Sequence, residues 1–131
     1  MKYLLDTSVL IQSLLSRPRL SYRALRILEA ESSELYLSAV STWEITIKAE
    51  TGKLELPEPT AEFYRRAMQL MDLRSLEITP IHALAVGELP FHHRDPFDRM
   101  LIAQARVDGL TLLTGDAIFR KYEVAQIHCG R

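Results

Sequence analysis

The chain alternates short, continuous apolar runs with longer stretches of helical periodicity, and no tight hairpin signal joins any two of the runs. Residues 2–5, 35–37, 76–79 and 110–114 are such runs, and 124–127 is a fifth candidate. Unbroken apolar runs belong to strands covered on both faces, and strands joined by helices lie parallel. The expected fold class is therefore α/β: a three-layer α/β/α sandwich with a four- to five-stranded, mostly parallel sheet. The pattern shows no internal repeat or linker, so residues 1–131 are expected to form one domain.

Helix signals fill the intervals. Asp6-Thr7-Ser8 opens a helix through Ser16, which Arg17-Pro18-Arg19 interrupts before a second begins at Ser21. Ser38 or Ser41 caps a third, carrying Trp43, Glu44, Ile45 and Ile47 and stopping at Thr51-Gly52. From Thr60, Phe63, Tyr64, Ala67, Met68 and Met71 share one helical face, which reads as core or subunit interface together with Trp43. Pro80 and Pro96 stand where a first helical residue would, the latter starting a helix that ends at Gly109.

A hydrophobic fraction of 47% is ample for the core of a 131-residue domain without disulfides. The single Cys129 excludes a disulfide framework or a cysteine-based zinc cluster. No apolar stretch reaches the length of an export signal or a membrane span, so a cytoplasmic location with no membrane contact is expected.

Ligand sites in parallel sheets lie beyond the carboxyl ends of the strands. Asp6 follows the first strand and Asp116 the fourth, Glu44 sits early in the helix after the second, and Asp98 occupies the first turn of the helix near Asp95. Each has a structural alternative: Asp6 as a helix cap, Asp116 in a Gly-Asp turn, Asp95 and Asp98 at a favourable helix dipole, and Glu44 paired with Lys48 four residues on. Crowded carboxylates cannot all stay ionised without a compensating cation, and Mg²⁺, with Mn²⁺ able to substitute, suits an all-oxygen site. One or two such ions fit four acids. Setting the four aside takes the formal charge from −1 to +3, a surface more compatible with a polyanion.

The segments Tyr3-Leu4-Leu5-Asp6-Thr7-Ser8, Trp43-Glu44-Ile45-Thr46-Ile47-Lys48 with Gly52-Lys53-Leu54, His93-Arg94-Asp95-Pro96-Phe97-Asp98-Arg99 with Leu101-Ile102-Ala103-Gln104-Ala105, and Leu113-Thr114-Gly115-Asp116 with Phe119 resemble PIN-domain proteins, specifically VapC-type toxins of bacterial type II toxin–antitoxin pairs. The resemblance runs from Lys2 to about Ile127 and implies a metal-dependent endoribonuclease whose acidic quartet, serving both catalysis and metal binding, is Asp6, Glu44, Asp98 and Asp116. It further implies a homodimer and a cognate antitoxin that blocks the acidic site. In such an enzyme a metal-activated water attacks an RNA phosphorus. Ser8 and Thr114 stand where a hydroxyl either orients a carboxylate or merely caps a helix and ends a strand, Asp95 is a cap or a neighbour of the quartet, and Arg99, Arg94 and Lys48 are candidate phosphate contacts or partners of neighbouring acids.

Lesser features read as surface. His92 and His93 form a solvated loop pair that could touch phosphate or metal, and His82 and His128 lack metal-ligand spacing. Two other functions compete. A phosphoryl-transfer enzyme using Asp6 as acceptor would need a second acid two residues on, where Ser8 stands. A non-catalytic scaffold would gain nothing from four mutually repelling acids.

Overall fold

The computed structural model describes residues 1–131. Its strands are β1 (Lys2–Leu5), β2 (Glu34–Ser38), β3 (Leu73–Leu76), β4 (Thr111–Thr114) and β5 (Gln126–His128), and its helices are α1 (Thr7–Leu15), α2 (Tyr22–Glu29), α3 (Ala39–Glu50), α4 (Thr60–Leu70), α5 (Pro80–Val86) and α6 (Pro96–Asp108). Two short 3-10 turns, Arg17–Arg19 and Ala117–Lys121, complete the chain. All four strand pairings are parallel, in the order β3-β2-β1-β4-β5.

Side-chain alternation along the strands builds a core on each face of the sheet. On one side Tyr3, Leu5, Leu35, Leu37 and Leu113 pack with Val9 and Leu10 of α1, Ala24 and Leu28 of α2, and Ala67 of α4. On the other, Leu4 and Leu112 meet Leu101, Ile102 and Ala105 of α6 together with Phe119. The layers are therefore helix, sheet, helix. No helix is long and apolar enough to cross a membrane.

Local chemistry sets the element ends. Ser21 and Ser38 cap α2 and α3 through their hydroxyls, accepting from the N–H groups of Ala24 and Val40. Gly109 ends α6 at φ 67°, a left-handed position that glycine adopts without a side-chain penalty. Asp72, the one non-glycine residue with positive φ (49°), makes the sharp step from α4 into β3.

Three strand expectations shift. The third strand covers Leu73–Leu76, not 76–79. It is an edge strand, with Leu73 buried while Arg74 and Ser75 face solvent, and Arg74 pairs with Glu34 of β2 at 2.8 Å. One buried position satisfies an edge strand, so its sequence need not read as an apolar run, and the apolar Ile78 lies beyond it, exposed. The fifth strand begins at Gln126 rather than Val124, in register with Leu112, and the fourth begins at Thr111 rather than Leu110. Trp43 is 59% exposed and outside the core, its indole meeting the Phe97 ring edge-on at 5.2 Å.

Cys129 is buried, and burial pushes its thiol up to about 11. A thiol reagent at pH 8 should therefore leave the native protein unmodified and label one thiol on unfolding. Rapid labelling of native protein would place Cys129 at the surface.

Candidate active site

The chain runs β1, β2, β3 outward on one side of the sheet and then places β4 and β5 on the other side of β1. The strand order thus reverses between β1 and β4, and a crevice opens beyond their carboxyl ends. Asp6 leaves β1 there, its N–H extending the ladder to the carbonyl of Leu113 at 2.9 Å. Because Leu5 registers with Leu113, the next pair across the sheet is Asp6 and Thr114. The Thr114 hydroxyl donates to Asp6 Oδ2 at 2.9 Å, and Ser8 Oγ donates to the same oxygen at 3.0 Å. Asp6 is the N-cap residue of α1 by position, yet its carboxylate caps no helical N–H. The side chain is turned to the crevice instead.

Glu44 arrives from α3. Thr7 Oγ1 donates to Ser41 Oγ at 2.9 Å, tying α1 to α3 one turn before Glu44. Glu44 is 4% exposed; its Oε2 accepts from Lys48 Nζ at 2.6 Å, while its buried Oε1 has no hydrogen-bond partner. Asp98 arrives from α6, whose N-terminus is capped by Asp95 Oδ1 accepting from the N–H groups of Phe97 and Asp98. Asp116 starts the 3-10 turn after β4, its Oδ1 accepting from the N–H of Ile118 at 3.0 Å.

All four acids line one cleft of about 590 Å³, walled almost entirely by polar residues including Ser8, Lys48, His93 and Asp95. Its electrostatics are those of carboxylates forced together. Burial holds Asp6 above its ordinary value and the nearby Glu44 adds to the rise, against the hydrogen bonds from Thr114 and Ser8. Asp98 is pushed up to about 7, first by burial and then by the Asp6 charge, despite a hydrogen bond with His93. Lys48 is raised, chiefly by its bond to Glu44. An acidic cluster with protons held this tightly stores repulsion that a cation would relieve. The donor set fits one: the carboxylates are hard oxygen ligands, and the orphaned Oε1 of Glu44 is a buried acceptor lacking the partner that such an atom normally has.

Thr114 braces both ends of this arrangement, since its Oγ1 also accepts from the N–H of Asp116 at 3.0 Å. Thr114→Val removes both bonds while keeping the shape. It should cost roughly 1–3 kcal/mol in urea unfolding, because a buried carboxylate loses a donor. A loss below about 0.5 kcal/mol would show that the hydroxyl bears no load.

Two expectations about side chains change. Arg99 is 4% exposed and does not line the cleft. Its guanidinium bonds the carbonyls of Pro90, Val86, Leu89 and His93 and the hydroxyl of Tyr122, and stacks 4.1 Å from the Phe91 ring. Arg99 therefore fastens the loop before α6 and, buried away from the cleft, is not placed to meet phosphate. His93, read as solvated, instead faces the cleft, with Nε2 at 2.7 Å from Asp98 Oδ2. Its place five residues before Asp98, across the turn made by Asp95 and Pro96, was the one sequence signal for this contact.

The reversal in strand order, with acids delivered from four separate segments to one polar cleft, defines an α/β domain built around an acidic centre. The PIN domain family model matches residues 3–125, and the chain belongs to that family. Among solved structures, VapBC2 from Rickettsia felis bound to a DNA fragment from its promoter superposes with a TM-score of 0.76 at 17% identity, covering 98% of this chain and 99% of that one. VapBC-1 from nontypeable Haemophilus influenzae gives 0.70 at 17% identity, covering 98% of each chain. VapBC-5 from Mycobacterium tuberculosis, of a family of toxin–antitoxin systems, gives 0.62 at 18% identity, covering 97% of this chain and 98% of that one. At such identities the likeness is one of fold. No curated protein matches the sequence.

Proposed function

We propose that this chain is a metal-dependent endoribonuclease acting as the VapC-type toxin of a toxin–antitoxin pair. Family membership and the VapBC folds support the class, and the observation that carries the metal-dependent reading is the buried, partnerless Oε1 of Glu44 beside two carboxylates whose protons are held above the ordinary range. Asp6, Glu44, Asp98 and Asp116 would hold Mg²⁺, or Mn²⁺ in its place, as one or two ions. When bound, such an ion acidifies water and stabilises charge on a phosphate undergoing in-line attack.

The chain's own residues do the rest. Ser8 and Thr114 fix one oxygen of Asp6 and so set the plane of its carboxylate. Asp95, committed to the α6 N-terminus, holds Asp98 at the mouth of the helix. Lys48, 43% exposed at its side chain, stands at the rim, where its ammonium can meet a phosphate while bonded to Glu44. The polar cleft admits an extended backbone and offers no stacking platform, so the fold selects for phosphodiester chemistry before base identity.

In this reading the protein is one cytoplasmic domain that works as a homodimer, and a small antitoxin silences it by covering the acidic cleft. The test is to incubate purified protein with total RNA in Mg²⁺, in Mn²⁺ and with chelator, and to map the new ends. Cleavage with either ion and none with chelator is the expected result. Equal cleavage with chelator would refute metal dependence, and intact RNA under all conditions would refute the nuclease reading.

A further inference from the structure

We infer that His93 is a nitrogen ligand for a cation at the Asp98–Asp116 end of the cleft, biasing that position toward transition-metal ions over Mg²⁺. The inference rests on the metal-binding reading above. One donor atom each from His93, Asp98 and Asp116 lie within 4.8 Å of one another. Ligands about 2.0–2.2 Å from a shared ion span up to roughly 4.4 Å across it, so a small rotation of the exposed Asp116 side chain closes the set.

The imidazole is aimed. His93 N–H donates to Tyr122 Oη at 2.9 Å, its carbonyl accepts from Arg99, and its ring lies 6.4 Å from that of Phe119. His92 donates to the same hydroxyl, yet its ring packs edge-on against Tyr122 and it does not line the cleft. Of two adjacent histidines, the buried Arg99–Tyr122 clamp therefore turns one toward the acids. His93 Nε2 sits 2.7 Å from Asp98 Oδ2, so a single proton bridges two atoms that a cation would hold together. Elsewhere in the same cleft Asp6 and Glu44, the latter with an unpartnered Oε1, offer carboxylate oxygens alone, so His93 is the one imidazole among the cleft's ligand candidates. Mg²⁺ gains little from an imidazole, whereas Ni²⁺ and Co²⁺ accept one readily and Mn²⁺, which favours oxygen ligands, gains less.

The test is calorimetric titration of metal-free protein with Ni²⁺, Mn²⁺ and Mg²⁺ separately, comparing wild type with His93→Gln, His93→Ala, His92→Gln and Asp98→Asn. Glutamine keeps an N–H donor for Asp98 without the imidazole nitrogen, which separates ligation from mere positioning. Both His93 variants should lose Ni²⁺ affinity by roughly 10- to 100-fold and Mn²⁺ affinity less, with Mg²⁺ affinity changed by no more than about threefold. His92→Gln should match wild type. Wild-type Ni²⁺ affinity in His93→Gln would overturn the assignment, as would Ni²⁺ binding that follows His92 or ignores Asp98. If Mg²⁺ and Mn²⁺ bind in an Asp98-dependent way while Ni²⁺ ignores His93, this inference falls and the nuclease reading stands; if none of the three ions binds, both fall.

Discussion

Asp98→Asn is expected to abolish RNA cleavage and, in metal-free protein, to remove part of the loss of stability between acidic and alkaline pH. The first effect follows from deleting a carboxylate central to the cleft; a lost ligand worth several kcal/mol of transition-state stabilisation means roughly 100-fold or more in rate. The second follows from linkage. In the unfolded chain Asp98 loses its proton near 3.8, and in the folded, ion-free protein only near 7. The folded state therefore binds the extra proton between those values. The stabilising contribution is complete below about pH 4, declines as pH rises toward 7 and is gone above it. Each pH unit in that window removes up to about 1.4 kcal/mol, so wild-type protein in chelator should be less stable at pH 8 than at pH 4 by on the order of 3 kcal/mol from this group. Asparagine has no proton to lose. Asp6, also raised, leaves a residual slope in the variant. Urea midpoints of the two proteins at pH 5 and pH 8 decide the matter: a gap that widens with pH is expected, and midpoints moving in parallel would contradict it.

Arg99→Met is expected to cost stability rather than chemistry alone. Five acceptors converge on this buried guanidinium: the carbonyl of Val86 at the end of α5, three carbonyls of the segment between α5 and α6, and the Tyr122 hydroxyl. Methionine fills much of the volume but leaves those acceptors without a donor, at about 1–3 kcal/mol for each that water does not reach. A net loss of roughly 3–5 kcal/mol in urea unfolding is expected, the range for removing one partner from a buried charged network. Lysine cannot reproduce the fork and should rescue only part. A loss below about 1 kcal/mol for Arg99→Met would show that the loop before α6 does not depend on the clamp.

The central strands and the helix over Pro96–Asp108 were legible because burial on both faces, proline at the first turn and glycine after the last leave marks in composition. The acids were legible for a related reason: Asp6 and Asp116 each follow a strand, and parallel topology delivers strand ends to one side. Edge strands were found but displaced by two or three residues, since Leu73–Leu76 needs one buried side chain and Gln126–His128 none that is fully buried. The placement of Arg99, and which reading of His93 holds, escaped because both depend on Tyr122, more than twenty residues away, whose hydroxyl and ring stack the loop on α6. Local spacing carries no record of such a contact. Nor could it separate Asp95 from Asp98; both line the cleft, but only Asp95 spends an oxygen on capping the N-terminus of α6.

The most direct test of the acidic centre is thermal unfolding at pH 7.5 with and without Mn²⁺, for wild type and for Glu44→Gln. Binding confined to the folded state raises stability by about 2.7 kcal/mol at a hundredfold excess over Kd, several degrees for a domain of this size. The wild-type midpoint should rise with Mn²⁺, and the rise should shrink sharply once the Glu44 carboxylate is gone. A midpoint indifferent to Mn²⁺, or one that climbs equally in both proteins, would contradict a cation site built from these four acids.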